Sequence, residues 1–386
     1  MISIFILAML IFIFIFIILK KLNIEKDIYI CFFITLFTVL FFINMDLSLN
    51  SIKLGLELCF NSIIPSIFSF SLICNLLIIF NGIEIYSKIL GPIICKPFRL
   101  SLNCSFVLVS SFLCGYPLGA KYASDAYENN LISLEEYKRI LNIASNSGPV
   151  FILGVLGLSL LGDIKYGYVI ILSTLISIFF ISLIIKPAKN TIKSDFNKNK
   201  AIPKIGIALQ YAIENAIKTT LNVCGYVIAF SLIITILKNL QFIQLFFNNI
   251  ENFFSLPKQS LYGLFLGSVE LTNGCNLIAN TELSLHLKIS IISFFCAFGG
   301  MSVIFQTSSF FKSNKISILK YAFFKLVQGI IAFIAAYILS IVFFNDISAS
   351  SIKHTYFNSN YLFIISLLIL LLPFVINKLF KLFKTS

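Results

Sequence analysis

Cys114-Gly115-Tyr116-Pro117-Leu118-Gly119-Ala120-Lys121 is followed further along the chain by Asn146-Ser147-Gly148-Pro149. Both stretches mix helix-breaking Gly and Pro with polar side chains. They lie in a 386-residue chain that is 59% hydrophobic and 12% charged, with a mean hydropathy of +0.98. A soluble domain carries about 25% charged residues, so this is the composition of an integral membrane protein. Lipid offers no hydrogen bonds to broken backbone. Such segments survive at membrane depth only when buried in protein or lining a wet cavity. A comparable tract, Gly267-Ser268-Val269-Glu270-Leu271-Thr272-Asn273-Gly274, comes later in the chain. Broken polar tracts at matching places in two halves are a pointer to a transporter's binding site.

Working outward, full spans are expected at about 2–19, 28–44, 66–80, 149–161, 166–185, 221–240, 289–311, 318–344 and 361–377. Ile2 to Leu19 lacks a preceding basic region and is followed by Lys20 and Lys21, so it reads as a first transmembrane helix and not a signal peptide. The net charge of +13 is carried by lysines in short loops, where positive charge sets membrane orientation. It is not a nucleic-acid footprint. The tract Lys186 to Lys204 holds six lysines against one Asp and reads as the principal cytoplasmic loop. Lys20, Lys21 and Lys26, then Lys312, Lys315 and Lys320, and finally Lys378, Lys381 and Lys384 mark further inside segments. Nine crossings with the N-terminus outside and the C-terminus inside satisfy every loop.

Two halves of similar length emerge. Residues 47–186 run as an amphipathic segment with Glu57, a helix after Pro65, the first broken tract, a polar helix and two spans. Residues 204–345 run as an amphipathic segment with Glu214, a helix, the second broken tract and two spans. The first helices of the halves start on opposite faces, so the halves are expected to be inverted repeats with two re-entrant hairpins. The remaining parts are two N-terminal transmembrane helices in 1–46, the basic loop 187–203, and a C-terminal helix and tail in 346–386. The fold class is therefore an all-α polytopic membrane protein with its site near the midplane, where the hairpin tips meet.

Candidate chemistry follows from the breaks. Gly115 and Gly119 bracket Pro117, a combination that turns the chain and frees backbone amides toward a ligand. Tyr116 supplies an aromatic face and a hydroxyl. A helix expected from about Ala120 would present its positive end to an anion, with Lys121 in its first turn. Lys121 could equally snorkel to the cytoplasmic interface, since Asp125, Glu128 and Lys138 follow. Asn146 and Ser147, before Gly148-Pro149, are placed to donate to a substrate or to tie helices together. Glu270 is the single carboxylate between Ser260 and Ala279, and an intramembrane acid is a functional candidate by default. It could hold a coupling proton or cation, bind a substrate donor, or pair with Lys121. Thr272, Asn273 and Gly274 lie within a turn of it, and Gly299-Gly300 echoes the Asn-Ser-Gly-Pro break. Glu57 and Glu214 are expected to cap helices or face water. His286 and His354 lie near loops, the nine cysteines are scattered without a CxxC pair, and no catalytic set or nucleotide-binding loop occurs. No enzyme activity, cofactor or metal is expected; the partners expected are a small-molecule substrate and membrane lipid.

These tracts, with Val150-Phe151-Ile152-Leu153-Gly154 after the first break and Ala297-Phe298-Gly299-Gly300-Met301-Ser302-Val303 near the end, resemble the YlbJ/SpoVV sporulation integral membrane proteins. The resemblance covers about residues 50–345. It implies nucleoside-recognition (gate) domains distantly like concentrative nucleoside transporters, and a role late in sporulation. It further implies movement of dipicolinic acid across the outer forespore membrane. A nucleoside stays open as the substrate, as does a non-transporting gate-domain role in a sporulation membrane complex.

Overall fold

In lipid every backbone amide needs a partner within the protein, and helices meet that demand locally. The computed structural model describes residues 26–188, 203–313 and 315–344, and every regular element among them is helical. The expected spans 2–19 and 361–377, and most of the basic loop 187–203, lie outside the described residues.

After α1 (Lys26–Ile43), the first half opens with α2 (Met45–Leu58), which continues through a π-helical stretch, Cys59–Phe68, into α3 (Ser69–Ile79). A short amphipathic helix, α4 (Gly82–Ile89), precedes the hairpin of α5 (Ser105–Cys114) and α6 (Leu118–Glu128). Then come α7 (Leu134–Ile143), a second π-helical stretch, Phe151–Leu160, and α8 (Ile164–Ile184). The second half repeats this order. It comprises α9 (Ile205–Asn239), amphipathic α10 (Gln241–Phe253), the hairpin α11 (Ser260–Val269) and α12 (Leu271–Ala279), the broken pair α13 (Leu285–Phe298) and α14 (Gly300–Ser308), and α15 (Ile318–Phe344).

Two expectations need correction here. The amphipathic segment with Glu57 and the helix after Pro65 are one continuous helix of 35 residues, Met45–Ile79, with Pro65 inside it. The wider π-helical turn accommodates the N–H that Pro lacks, so the proline does not start a new helix. Likewise the segment with Glu214 and the span after it fuse into α9, also of 35 residues. Glu57 and Glu214 are exposed on these long helices.

Five helices among the described residues are long and apolar enough to cross a membrane: Met45–Ile79, Ile164–Ile184, Ile205–Asn239, Leu285–Ser308 and Ile318–Phe344. The expected spans 28–44 and 149–161 are shorter apolar helices, as are the first arms of both hairpins. A polytopic membrane protein results, in which short and broken helices sit among long ones.

The long helices Met45–Ile79 and α9 pack side by side in opposite directions. Asn44 meets Asn239; Ser51 Oγ donates to Ser231 O (2.8 Å) and accepts from Thr235 Oγ1 (2.8 Å). Further along, Gly55 faces Ile228, Cys59 Sγ lies 3.8 Å from Cys224 O, and Asn75 Nδ2 donates to Ala212 O (3.3 Å). Rising numbers on one helix meet falling numbers on the other. Ala208, Ala212, Ala216, Thr220 and Cys224, spaced by four, form the buried stripe of α9 that allows this close approach. The matching last spans behave alike: Ser177 of α8 meets Gln328 of α15, and Tyr166 packs on Phe344. Equivalent helices of the two halves therefore run antiparallel, the relation that inverted repeats require.

Buried charges at the outer ends of the hairpins are spent on helix termini. The Glu136 carboxylate accepts from Ser101 N (3.2 Å) ahead of the first hairpin and closes a capping box with Ser133. Glu251 accepts from Gln259 N, Leu261 N and Tyr262 N at the start of the second. Arg139 donates to Phe98 O and to the last carbonyls of α8, Ser182 O and Ile185 O.

The antiparallel seam makes a direct prediction. With Ser51→Cys and Thr235→Cys combined, mild oxidation should cross-link the two positions, identified by mass spectrometry of the joined peptides. A cross-link from position 51 to the N-terminal end of α9 instead would mean parallel helices and would remove the inverted relation.

Candidate functional site

The first hairpin breaks where α5 ends. Gly115 takes φ +75°, a backbone conformation that L side chains rarely adopt, and its N–H returns to Ser111 O (2.8 Å). The next amide, Tyr116 N–H, donates to Asn146 O (2.7 Å) and so ties the turn to the Asn-Ser-Gly-Pro break. Ser111 Oγ donates to Ala144 O (2.6 Å), and Gly148 rests on Cys114 O with no room to spare for a side chain. The two breaks of the first half are thus one unit, joined by the Tyr116 N–H to Asn146 O bond and the Ser111 Oγ to Ala144 O bond.

The second hairpin breaks at Glu270, whose backbone is extended between α11 and α12. Its carboxylate caps α12: Oε1 accepts from Thr272 N (2.9 Å), and Oε2 accepts from Asn273 N (2.9 Å) and Asn273 Nδ2 (2.8 Å). Asn273 Oδ1 in turn accepts from Lys238 Nζ (2.6 Å) at the end of α9. Gly299 and Gly300 both take positive φ, and Gly300 lies against the carbonyls of Gly267, Ser268 and Val269. A hairpin break again rests on the break of the following helix.

The two units meet. Ser147 Oγ donates to Cys296 O (3.2 Å) across the halves, and Tyr116 OH, 2.7 Å from Ser147 Oγ, then serves as the donor to it. The Tyr116 ring packs against an apolar cluster that contains Leu271, Cys275 and Cys296. Tyr116 and Ser147 are half-buried at this meeting, as are Glu270, Thr272 and Asn273 at the second break.

Several expected site residues do other work. Lys121 neither snorkels nor pairs with Glu270. It is 5% exposed and bonded to Asp125 (2.8 Å) and to Asn75 Oδ1 (2.8 Å), which clamps α6 to the long helix, because helix spacing puts Asp125 one turn away. Gly119 lies inside α6, which begins at Leu118 and not near Ala120, and a Cβ there would overlap Ala144 O. It is a close-packing position and not part of the turn. Gly274 has the same role in the second hairpin, against Gly267. Pro117 is buried as the residue before α6. Asn146 is 5% exposed, with Nδ2 on Ile143 O (2.7 Å) and Oδ1 accepting from Gln328 Nε2 (2.7 Å), so it holds helices together.

No motif in the sequence points to what holds Asn146. Lys325, 1% exposed on α15, donates to Ser145 O, to Asn146 Oδ1 (3.3 Å) and to Gln328 Oε1 (2.7 Å). Tyr321 OH donates to Ser145 Oγ (2.8 Å) one turn earlier. A lysine within a span of 27 residues was a visible signal, since intramembrane charge marks function. Its proximity to the loop lysines let it pass as one of them. Lys238 was hidden in the same way at the end of α9.

With this geometry in hand, the chain compares with a known protein. It is similar to the sporulation integral membrane protein YlbJ of Bacillus subtilis (strain 168), 25% identical over 308 residues that cover 74% of this chain and 76% of that protein. No family profile matches this chain, and no solved structure does. That likeness and the apolar helices together support an integral membrane protein.

Two stability experiments test these assignments. Gly119→Ala should cost at least about 1–3 kcal/mol through overpacking against the Ala144 carbonyl, read as a lower melting temperature in detergent. An unchanged melting temperature would return Gly119 to the open turn. Lys121→Met and Glu270→Gln should each destabilise, by breaking a clamp and a helix cap, and their effects should add to within about 0.5 kcal/mol. A double variant more stable than either single one would restore the Lys121–Glu270 pair.

Proposed function

We propose that this chain is a secondary-type transporter of a small anionic metabolite, dipicolinic acid, across the outer forespore membrane during sporulation. The observation that carries the reading is the meeting of the two broken tracts through Tyr116, Ser147 and Cys296 O. Broken backbone inside an apolar protein is retained where it lines a path for polar solutes. The half-buried Tyr116 ring offers a face to a planar heterocycle, and the half-buried Thr272 hydroxyl offers a hydrogen bond to a carboxylate. The Glu270 oxygens already accept three N–H donors, which leaves them less free to bind the hydroxyls of a nucleoside. Lys121 has Asp125, and Lys238 reaches Glu270 through Asn273, so neither adds net charge to the junction. The site residues of this reading are Gly115, Tyr116, Ser147, Gly148, Glu270, Thr272, Asn273, Gly299 and Gly300. The reading is non-enzymatic and involves no cofactor.

Uptake by the purified full chain in liposomes tests this. Labelled dipicolinate should equilibrate into loaded vesicles far faster than into protein-free ones, and uridine should not compete. Preferential uridine flux would replace the substrate. Flux of neither compound would favour a non-transporting component of a sporulation membrane complex.

A further inference from the structure

Lys325 is a buried cation with neutral partners. Its three donors match three acceptors, Ser145 O, Asn146 Oδ1 and Gln328 Oε1, which is the full hydrogen-bonding capacity of an ammonium group. Gln328 is itself fixed by Asn146 Oδ1 (2.7 Å) and Ser177 Oγ (3.4 Å). The hydrogen bonds are therefore complete while the charge is not balanced. The ion pairs Lys121–Asp125 and Lys312–Glu128 do not include Lys325.

The charged groups on the elements packed against α15 are exposed, as Glu135 and Lys138 of α7 are, or have the partners that follow. On α7, Arg139 is spent on Phe98, Ser182 and Ile185 carbonyls and Glu136 on Ser101 and Ser133 amides. On α13, His286 sits beside Ser340, at the far end of α15, and Lys288 bonds Ala279 O. Lys165 and Tyr166 of α8 lie at that same far end, where Tyr166 packs on Phe344.

An uncompensated charge in a protein interior is costly unless an opposite charge comes close. The cation holds Ser145 and Asn146, and the next residue, Ser147, lies at the partly open junction. We propose that Lys325 is the specificity-determining counter-charge for a substrate carboxylate bound at the Tyr116–Ser147 junction. This rests on the site assigned above and adds the residue that makes an anion preferred there. Lys325 acts from behind the break, through space and through the Asn146 and Ser147 backbone, and need not touch the ligand.

The test measures binding to the purified full chain in nanodiscs for a series of one shape: pyridine-2,6-dicarboxylate, its monoamide and its neutral diamide, with phthalate as an unrelated dicarboxylate. Wild type should prefer the anions in order of charge. Lys325→Gln should lower dicarboxylate affinity by roughly tenfold or more, the scale of losing one nearby unit charge, and leave the diamide within about twofold. Lys325→Arg should keep the anion preference. A purely structural lysine would weaken all ligands together. Equal wild-type affinity for dianion and diamide, or no binding of any carboxylate, overturns the proposal without any variant being folded. So does an anion preference that survives Lys325→Gln. Lys325-dependent binding of phthalate without dipicolinate binding would keep the counter-charge and remove dipicolinate as the substrate. Dipicolinate flux unaffected by Lys325→Gln would do the reverse.

Discussion

Backbone that leaves the helix inside a bilayer must recover its hydrogen bonds from protein, and in this chain one break supplies another. Tyr116 N–H finds Asn146 O, and Gly300 is pressed against the carbonyls that end α11. Because each break needs its neighbour, the hairpins and the helices that follow them cannot be placed independently. That mutual requirement fixes the two units, and Ser147 on Cys296 O joins them across the halves. The polar junction is a consequence of this satisfaction and not an addition to it.

The long helices provide the frame. Small residues spaced by four on α9 let it run against Met45–Ile79 for its whole length, with Ser51, Gly55, Cys59 and Asn75 on the other side of the seam. In each half a lysine–asparagine bond then ties the hairpin to the end of that half's long helix, with the identities exchanged. Asn75 of the helix accepts from Lys121 of the first hairpin, and Lys238 of the helix donates to Asn273 of the second. Each clamp also has a carboxylate beside it, Asp125 in one and Glu270 in the other. The halves thus solve one mechanical problem with the same chemistry, and Glu270 gains its place as a cap within a clamp.

Much of this was legible in residues 114–121, 146–149 and 267–274. Gly and Pro flanked by polar groups in an apolar chain require broken helices, and their recurrence requires a repeat. Tyr116 meets Ser147 at the first break, and Glu270, Thr272 and Asn273 meet at the second. Pro65 misled because the cost of an interior proline depends on the turn that holds it, and a π-helical turn is not written in a residue code. Gly119 and Gly274 misled because glycine serves tight turns and close helix contacts alike. Lys121 sat in a motif, which drew attention to it, while Lys325 sat in no motif.

Composition and periodicity by themselves determined a helical membrane protein, its two similar halves and the places where its helices break, because lipid penalises unpaired backbone regardless of the rest of the fold. The tertiary structure decided which charges are balanced. Lys121, Lys238 and Lys325 are the same residue type, yet their roles differ by what lies within reach: Asp125 for the first, Asn273 and Glu270 for the second, neutral oxygens for the third. Spacing along a helix can announce the first of these. The other two depend on contacts between residues far apart in sequence, and electrostatic energy depends on distance in space.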